Sequence, residues 1–424
     1  MEIKNFREFF KSKTILSYVL TFGVEFVIML ITIVLFKFVA VKFLDTGFAE
    51  FSINKRLVGF LMPLMMLGLG VSLPKFLPLE NEKKQLEIHY SALIIVSSLF
   101  LFSLIIFLFN SAYLSHLAFG DFNHEKMFAA SLLYVYSLML HACIYNYFRG
   151  KFDFVISSLL QLVNLGVLPF IFFFLVNDVY HLFLILSIGT IGLLLLINSI
   201  YIPLIKLKSF DCFQNIKLLV KYGIRRAPGD VILGLFLFIP TYLASNYFSL
   251  TIAGNVAFCL SLFNIVIAIM SPINIILLPK ASKIVFEKDF SLLRIISSKL
   301  LIVSIGVGII SLAVVYIFGE NILIMFNVKD YLEVAGYLNI IFFGVIGFSL
   351  FSVIRSIIDA YYEKARVASI IIISFLFFIF CILIIKYFDL FSIKNILIAF
   401  TFSINFLGLL TYFILTRINK RIQQ

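Results

Sequence analysis

The sequence predicts an all-α membrane protein of about twelve transmembrane helices, grouped in two six-helix lobes with both termini in the cytoplasm. Three observations carry that expectation: the composition, the length and spacing of the apolar runs, and features that recur about 205 residues apart. Of 424 residues, 62% are hydrophobic and only 13% are charged, and mean hydropathy is +1.11. A soluble domain of that size has too few polar groups to cover so much apolar surface, so lipid is the solvent for most of the chain. The apolar runs are long and unbroken, which excludes a barrel of short alternating strands.

A hydrocarbon core takes about 20 apolar residues per helix. Counted that way, spans fall at 14–40, 54–77, 88–112, 127–148, 154–176, 180–205, 217–247, 252–279, 292–318, 332–358, 366–387 and 393–416. The first follows a basic stretch, Met1 to Lys13, as a signal peptide would. It is too long for a signal peptide and no small-residue cleavage site follows, so it is expected to stay as the first helix. The second opens with Asn54, Lys55 and Arg56 and contains Gly59, Pro63, Gly68 and Gly70, a pattern expected of a helix facing protein or water rather than lipid. Pro63, Gly68, Gly70, Pro169, Pro240 and Pro272 mark bending points, which membrane helices also tolerate for packing alone. Cys143, Cys212, Cys259 and Cys381 are scattered without a CxxC pair and are expected to be free thiols.

The net charge of +12 is a topology signal before it is a ligand signal, and nucleic acid is not an expected partner. The N-terminus, the even-to-odd connections and the C-terminus hold 25 of the 34 Lys/Arg, whereas the opposite connections hold five. That bias puts both ends in the cytoplasm of a multi-pass protein, in a bacterial setting the cell inner membrane. No opposite-side loop is longer than about 15 residues, so no extracytoplasmic domain is expected.

Glu25 in the first span recurs as Asp230 in the seventh, and Leu73-Pro74-Lys75 recurs as Leu278-Pro279-Lys280, both at an offset of 205. Gly47 and Gly254 open the second helix of each pair with a two-residue slip, and Tyr147-Phe148 echoes Tyr361-Tyr362 at 214. Lobes at 1–208 and 209–424 follow. Six helices is an even number, so the halves share one orientation and the repeat is parallel.

Ionisable groups at bilayer depth are functional candidates. Glu25 lies about 16 Å into its span at 1.5 Å per residue, and Asp230 sits at the equivalent depth. A carboxylate that is desolvated in one state and rehydrated in another can take up and release a proton, so both are candidates for ion coupling, with Asp359 as a third. The plainer role for Asp230 is to neutralise Arg226 one turn away.

Arg225-Arg226-Ala227-Pro228-Gly229-Asp230 entering span seven and Leu277-Leu278-Pro279-Lys280-Ala281-Ser282 closing span eight, in a chain of two six-helix bundles, resemble polysaccharide-biosynthesis flippases. These are the Wzx-type members of the multidrug/oligosaccharidyl-lipid/polysaccharide exporter superfamily, whose fold is MATE-like. The resemblance implies a two-lobed transporter that moves an undecaprenyl-diphosphate-linked oligosaccharide to the outer leaflet for O-antigen or capsule assembly. It implies as partners the lipid-linked oligosaccharide, membrane lipids, a polysaccharide polymerase and a chain-length regulator, and no cofactor. Some relatives line the cavity more heavily with arginine than this chain does.

A lipid diphosphate calls for fixed positive charge, and Arg suits a bidentate grip. The candidates are Lys55, Arg56, Arg149, Arg225, Arg226 and Arg355. Arg149, Arg225 and Arg226 also fit as cytoplasmic anchors, and Arg355 as the partner of Asp359 four residues on. Lys55 and Arg56 stand at the outer end of span two, the wrong side for anchoring. His116, Asp121, His124 and Glu125 lie in an outer loop, where solvation is expected over metal binding. Tyr134, Tyr136, Tyr145 and Tyr147 can stack on sugar rings, though core or interfacial packing is the stronger expectation.

No HExxH, GxxxxGK[ST] or GxSxG is present, so soluble-type catalysis has no foothold and no catalytic residue is assigned. The remaining readings are a multidrug exporter of the same superfamily, a polytopic glycan polymerase or ligase, and a scaffold. Polymerases usually carry one long outer loop, which is missing here, and a scaffold leaves the midplane Glu25 unexplained.

Overall fold

The computed structural model describes residues 13–77, 80–151, 153–202, 212–326, 328, 330–362 and 366–421. Lys206, Lys208, Glu363 and Lys364 lie outside the described residues, as do the side chains of Pro74, Lys75, Cys212, Arg226, Pro272, Leu278, Pro279 and Lys280.

The described residues are all-helical apart from their connections. Helix α1 (13–43) turns into α2 at Leu44, whose φ of 57° breaks the helical run. Helix α2 covers 45–66, breaks at Leu67–Gly68 and resumes over Leu69–Phe76. Then come α3 (Glu82–Phe119), α4 (Glu125–Gly150), α5 (Phe154–Leu175, with a π-turn at Val163–Val167) and α6 (Val179–Tyr201). The series continues with α7 (Cys212–Tyr247), α8 (Leu250–Phe286), α9 (Phe290–Met325), α10 (Tyr331–Phe342 and Val345–Tyr361), α11 (Arg366–Tyr387) and α12 (Ile393–Arg421). Ten stretches among the described residues are long and apolar enough to cross a membrane. The first of them, Val19–Met66, contains both α1 and α2, and α8 contributes a shorter apolar stretch, Leu250–Val266.

Loop aspartates start several of these helices. Asp153, Asp178 and Asp289 accept the backbone N–H groups of Ile156, His181 and Leu292, and Asp121 caps the short turn Phe122–His124. Each supplies a side-chain acceptor to an N–H that has no partner in its own helix.

Four expectations need correction at this level. Helix α2 begins at 45, not 54, because Asp45, Gly47 and Glu50 are already helical. Lys55 and Arg56 are therefore not at the end of the span but about 16 Å along it at 1.5 Å per residue. His116 is in α3 and Glu125 opens α4, rather than both lying in a loop. The Gly47–Gly254 correspondence with its slip gives way to Ala49, which stands 205 residues before Gly254 and packs directly against it.

The chain divides into two compact units. The first contains Met1–Phe43, Leu61–His116 and Asp121–Ala227. Its core is α4, which packs on α6 and on the end of α2, where a Cβ on Gly150 would lie 2.6 Å from the Leu77 side chain. Gly68, in the left-handed region at φ 72°, approaches the Gly223 backbone so closely that a Cβ on Gly223 would stand 2.0 Å from the Leu67 carbonyl. Lys42 closes the far end of α5, donating to the carbonyls of Phe173 (3.0 Å) and Val176 (2.5 Å).

The second unit contains Leu44–Phe60, Leu117–Gly120 and Pro228–Gln424. Its centre is the second segment of α10, packed on α8, α9 and α12. The break in α10 at Phe343–Gly344 is served by α12: Asn405 donates to the Phe343 carbonyl and accepts from Gly347 N–H, both at 3.2 Å, and Thr401 donates to Ile340 O at 2.8 Å. Freed backbone groups at bilayer depth are tolerated only with such partners.

Candidate functional site

In the first unit, α1 and α5 run side by side in the same direction. Thr21 meets Ser158 (3.4 Å between hydroxyls), Glu25 meets Gln161, and Ile28 and Ile31 fill the space beside Gly166. Gln161 Nε2 donates to Glu25 Oε1 at 2.6 Å, a charge-assisted bond inside a membrane-spanning helix pair. Glu25 is half-buried, and Arg149 of α4 lies close enough to attract it electrostatically.

Helix α4 presents His141, Tyr145 and Arg149 four residues apart on this side. The Arg149 guanidinium is 5.9 Å from the centroid of the Tyr145 ring, and Tyr145 stacks on His141 at 5.8 Å. His141 Nδ1 is paired with Asn164 Nδ2 at 2.9 Å, and the buried Asn164 Oδ1 has no hydrogen-bond partner among the described residues. Asn164 sits in the π-turn, a local widening that re-aims side chains and recurs at functional positions. Glu25 and Arg149 are legible as candidates from charge at depth. Sequence reasoning misses Gln161, Asn164, His141 and Tyr145 as a cluster, although a stripe of polar residues three and four apart inside two apolar spans is the signal that could have found it.

In the second unit, the functional candidate is the face that α2 turns to α8. Arg56 is only 8% exposed, and its Nη2 donates to Ser261 Oγ at 2.7 Å. Its Nε is buried without a hydrogen-bond partner among the described residues, and the same holds for Ser52 Oγ one turn earlier. Removing a guanidinium from water is costly unless a carboxylate or phosphate compensates it, and one neutral hydroxyl offsets little of that. The orphaned Nε alone carries a desolvation cost of about 1–3 kcal/mol. Lys55, half-buried beside it, holds its ammonium 5.9 Å from the Phe51 ring centroid. Two cationic side chains thus stand next to one another in α2, Arg56 buried and Lys55 half-buried.

The other candidates are spread out. Arg225 is exposed, and the Arg226 side chain lies outside the described residues. Asp230 is half-buried in α7, next to Gly229, where a Cβ would meet Ala368 of α11 at 2.9 Å. Arg355 and Asp359 are half-buried one turn apart in α10, with the Arg355 guanidinium 5.8 Å from the Phe351 ring centroid. Glu25 lies in the first unit and Asp230 in the second. The tyrosines of α4 pack inward: Tyr134 on Phe183, Tyr136 on Phe100 with a 3.0 Å bond to Ser97, and Tyr147 on His89. His124 lies 3.5 Å from Asp121, and no group of three potential metal ligands occurs among the described residues.

No protein-family profile and no curated protein sequence matches the chain. Solved structures do. A multidrug resistance MATE family transporter of the MOP superfamily, in its inward-facing conformation, superposes with a TM-score of 0.71 at 10% identity, over 96% of this chain and 99% of its own. A MOP superfamily transporter from Pyrococcus furiosus, described as having a binding pocket of reversed polarity, superposes with a TM-score of 0.70 at 11% identity, over 96% of both chains. A point mutant of the Vibrio cholerae MATE transporter VcmN gives 0.63 at 16% identity over 97% of this chain and 98% of its own. The chain has the fold of the MATE transporters of the MOP superfamily.

Proposed function

We propose that the protein is an ion-coupled exporter of an anionic amphiphile, a lipid-linked oligosaccharide diphosphate moved across the cytoplasmic membrane for surface polysaccharide assembly. The lobes at 1–208 and 209–424 act as the two halves of the transporter, with both termini cytoplasmic, and no covalent catalysis is involved. The observation that carries the reading is Arg56: a guanidinium buried at bilayer depth, held by one hydroxyl and flanked by Lys55. Such a group repels cationic drugs and attracts phosphate, for which arginine has the matching two-pronged geometry. Glu25, clasped by Gln161 and near Arg149, is the ion-coupling group.

A multidrug exporter of the same superfamily is the second reading. It is favoured by the multidrug description of the structural neighbours and by the carboxylate, tyrosine and histidine gathered in the first unit. One experiment separates the two. In proteoliposomes under an imposed proton or sodium gradient, a fluorescent isoprenyl-diphosphate sugar is expected to be translocated and a cationic dye is not. Arg56→Gln and Glu25→Gln should each lower translocation at least about tenfold, the scale of one lost charge-assisted contact. Dye efflux that depends on Glu25 and is indifferent to Arg56 would decide for the drug exporter.

A further inference from the structure

Helices α2 and α8 meet at positions that are equivalent in the repeat. Ala49 faces Gly254 and Arg56 faces Ser261, and both pairs are separated by 205 residues. The two contacts are seven residues apart on each helix, so the helices run parallel and in step for roughly 10 Å. This is how a two-fold relation brings like against like. The seam has no slack at its first contact, since a Cβ on Gly254 would lie 2.4 Å from both Cα and Cβ of Ala49. Phe48 closes edge-on against Phe258 beside it, with centroids 5.0 Å apart.

The second contact is poorly satisfied. Side-on, an arginine offers Nε and Nη2 as a two-pronged donor. Ser261 Oγ takes the Nη2 prong and spends its own proton on Ala257 O at 2.8 Å, while Nε and the nearby Ser52 Oγ are buried without hydrogen-bond partners among the described residues. A seam built only for permanence would be apolar there. Parting the helices lets water or a ligand reach both orphaned atoms, so closure of this seam carries a cost that opening returns.

We propose that Ser261 is a positioning residue for Arg56: its hydroxyl latches the guanidinium across the α2–α8 seam, and the seam opens when a phosphate replaces that hydroxyl on the Nε–Nη2 fork. The second half of this proposal rests on the reading of Arg56 as an anion receptor. The first half does not, because the latch is a property of the protein alone.

Thr46 and Thr251, again 205 apart and both exposed, stand in the first turns of the two helices and accept reporters without disturbing the seam. Nitroxides are placed on T46C/T251C in the full chain with its four cysteines replaced by alanine, and electron–electron distances are measured in nanodiscs. The latched protein should give mainly a short distance. Ser261→Ala should raise the ratio of long to short distances about tenfold, the scale of one buried charge-assisted hydrogen bond. Ser261→Thr, which keeps the hydroxyl, should restore the short distance, and Ser261→Asp should lower the long population by meeting the guanidinium with a carboxylate. Millimolar inorganic pyrophosphate should raise the long population with Ser261 present, and leave Arg56→Gln and Ser261→Asp unchanged. Distance distributions that coincide in Ser261→Ala, Ser261→Asp and the parent overturn the latch whatever the anion does. A latch that responds to Ser261 variants but not to pyrophosphate stands, and instead removes the anion reading of Arg56.

Discussion

Gly254→Ala isolates the energetic weight of the α2–α8 contact. The added Cβ would lie 2.4 Å from backbone and side-chain atoms of Ala49, whereas ordinary contact begins at 3.4 Å. The helices must therefore separate locally by roughly 1 Å, and overpacking of this kind costs about 1–3 kcal/mol. Alanine also favours helix over glycine by about 1 kcal/mol, which partly conceals the penalty. Gly306 of α9 supplies the control, because nothing lies within 4 Å of a Cβ built there. Gly306→Ala keeps the propensity gain without the clash, so the difference between the two variants reports packing alone. Equilibrium unfolding by sodium dodecyl sulfate in mixed micelles, followed by circular dichroism, should place Gly254→Ala about 1–3 kcal/mol below Gly306→Ala. Because Ser261 lies two turns along the same helix, the displacement also strains the 2.7 Å bond from Arg56, pushing the result toward the upper end. Equal stability of the two variants would show that α2 and α8 do not touch at this position, and that no tight seam joins them.

Two further outcomes follow from local geometry. Asn405→Leu removes the two hydrogen bonds that Asn405 makes at the α10 break, to Phe343 O and from Gly347 N–H, and should cost at least about 2 kcal/mol in the same unfolding assay; a cost under half that would mean these two groups find other partners. Hydrogen bonds from the Ser291 hydroxyl and the Leu292 N–H hold the Asp289 carboxyl below the usual carboxylate range. A depressed folded pKa contributes stability that is present above the unfolded value and lost as pH falls through the folded one. Amide exchange at Leu292, corrected for intrinsic rate, should therefore lose protection on acidification in the native chain but not in Asp289→Asn, which keeps the acceptor without the charge; identical pH profiles would refute the cap's titration.

The legible parts of the candidate site are those marked by charge in an apolar run. Glu25 and Arg56 stand out because ionised groups are expensive at bilayer depth. Hydropathy nevertheless misplaces Arg56 at a span end, because Asp45 and Glu50 read as a polar loop although they continue the helix after the kink at Leu44. Gln161, His141, Asn164 and Ser261 carry no charge or are commonly buried as spacers, so composition alone does not lift them above background. The π-turn at Val163–Val167 and the α10 break at Phe343–Gly344 are also absent from hydropathy, since a change in backbone hydrogen-bond register within a span leaves its average apolarity high.

The amino-acid sequence by itself determined that this chain is built from long apolar helices of membrane-spanning length, because helix length is set by local hydropathy against a bilayer of given thickness. Only the tertiary structure decided which polar groups meet. Gln161 reaches Glu25 across 136 positions and Ser261 reaches Arg56 across 205, and such pairings depend on how separate helices are rotated and staggered, which no local window encodes.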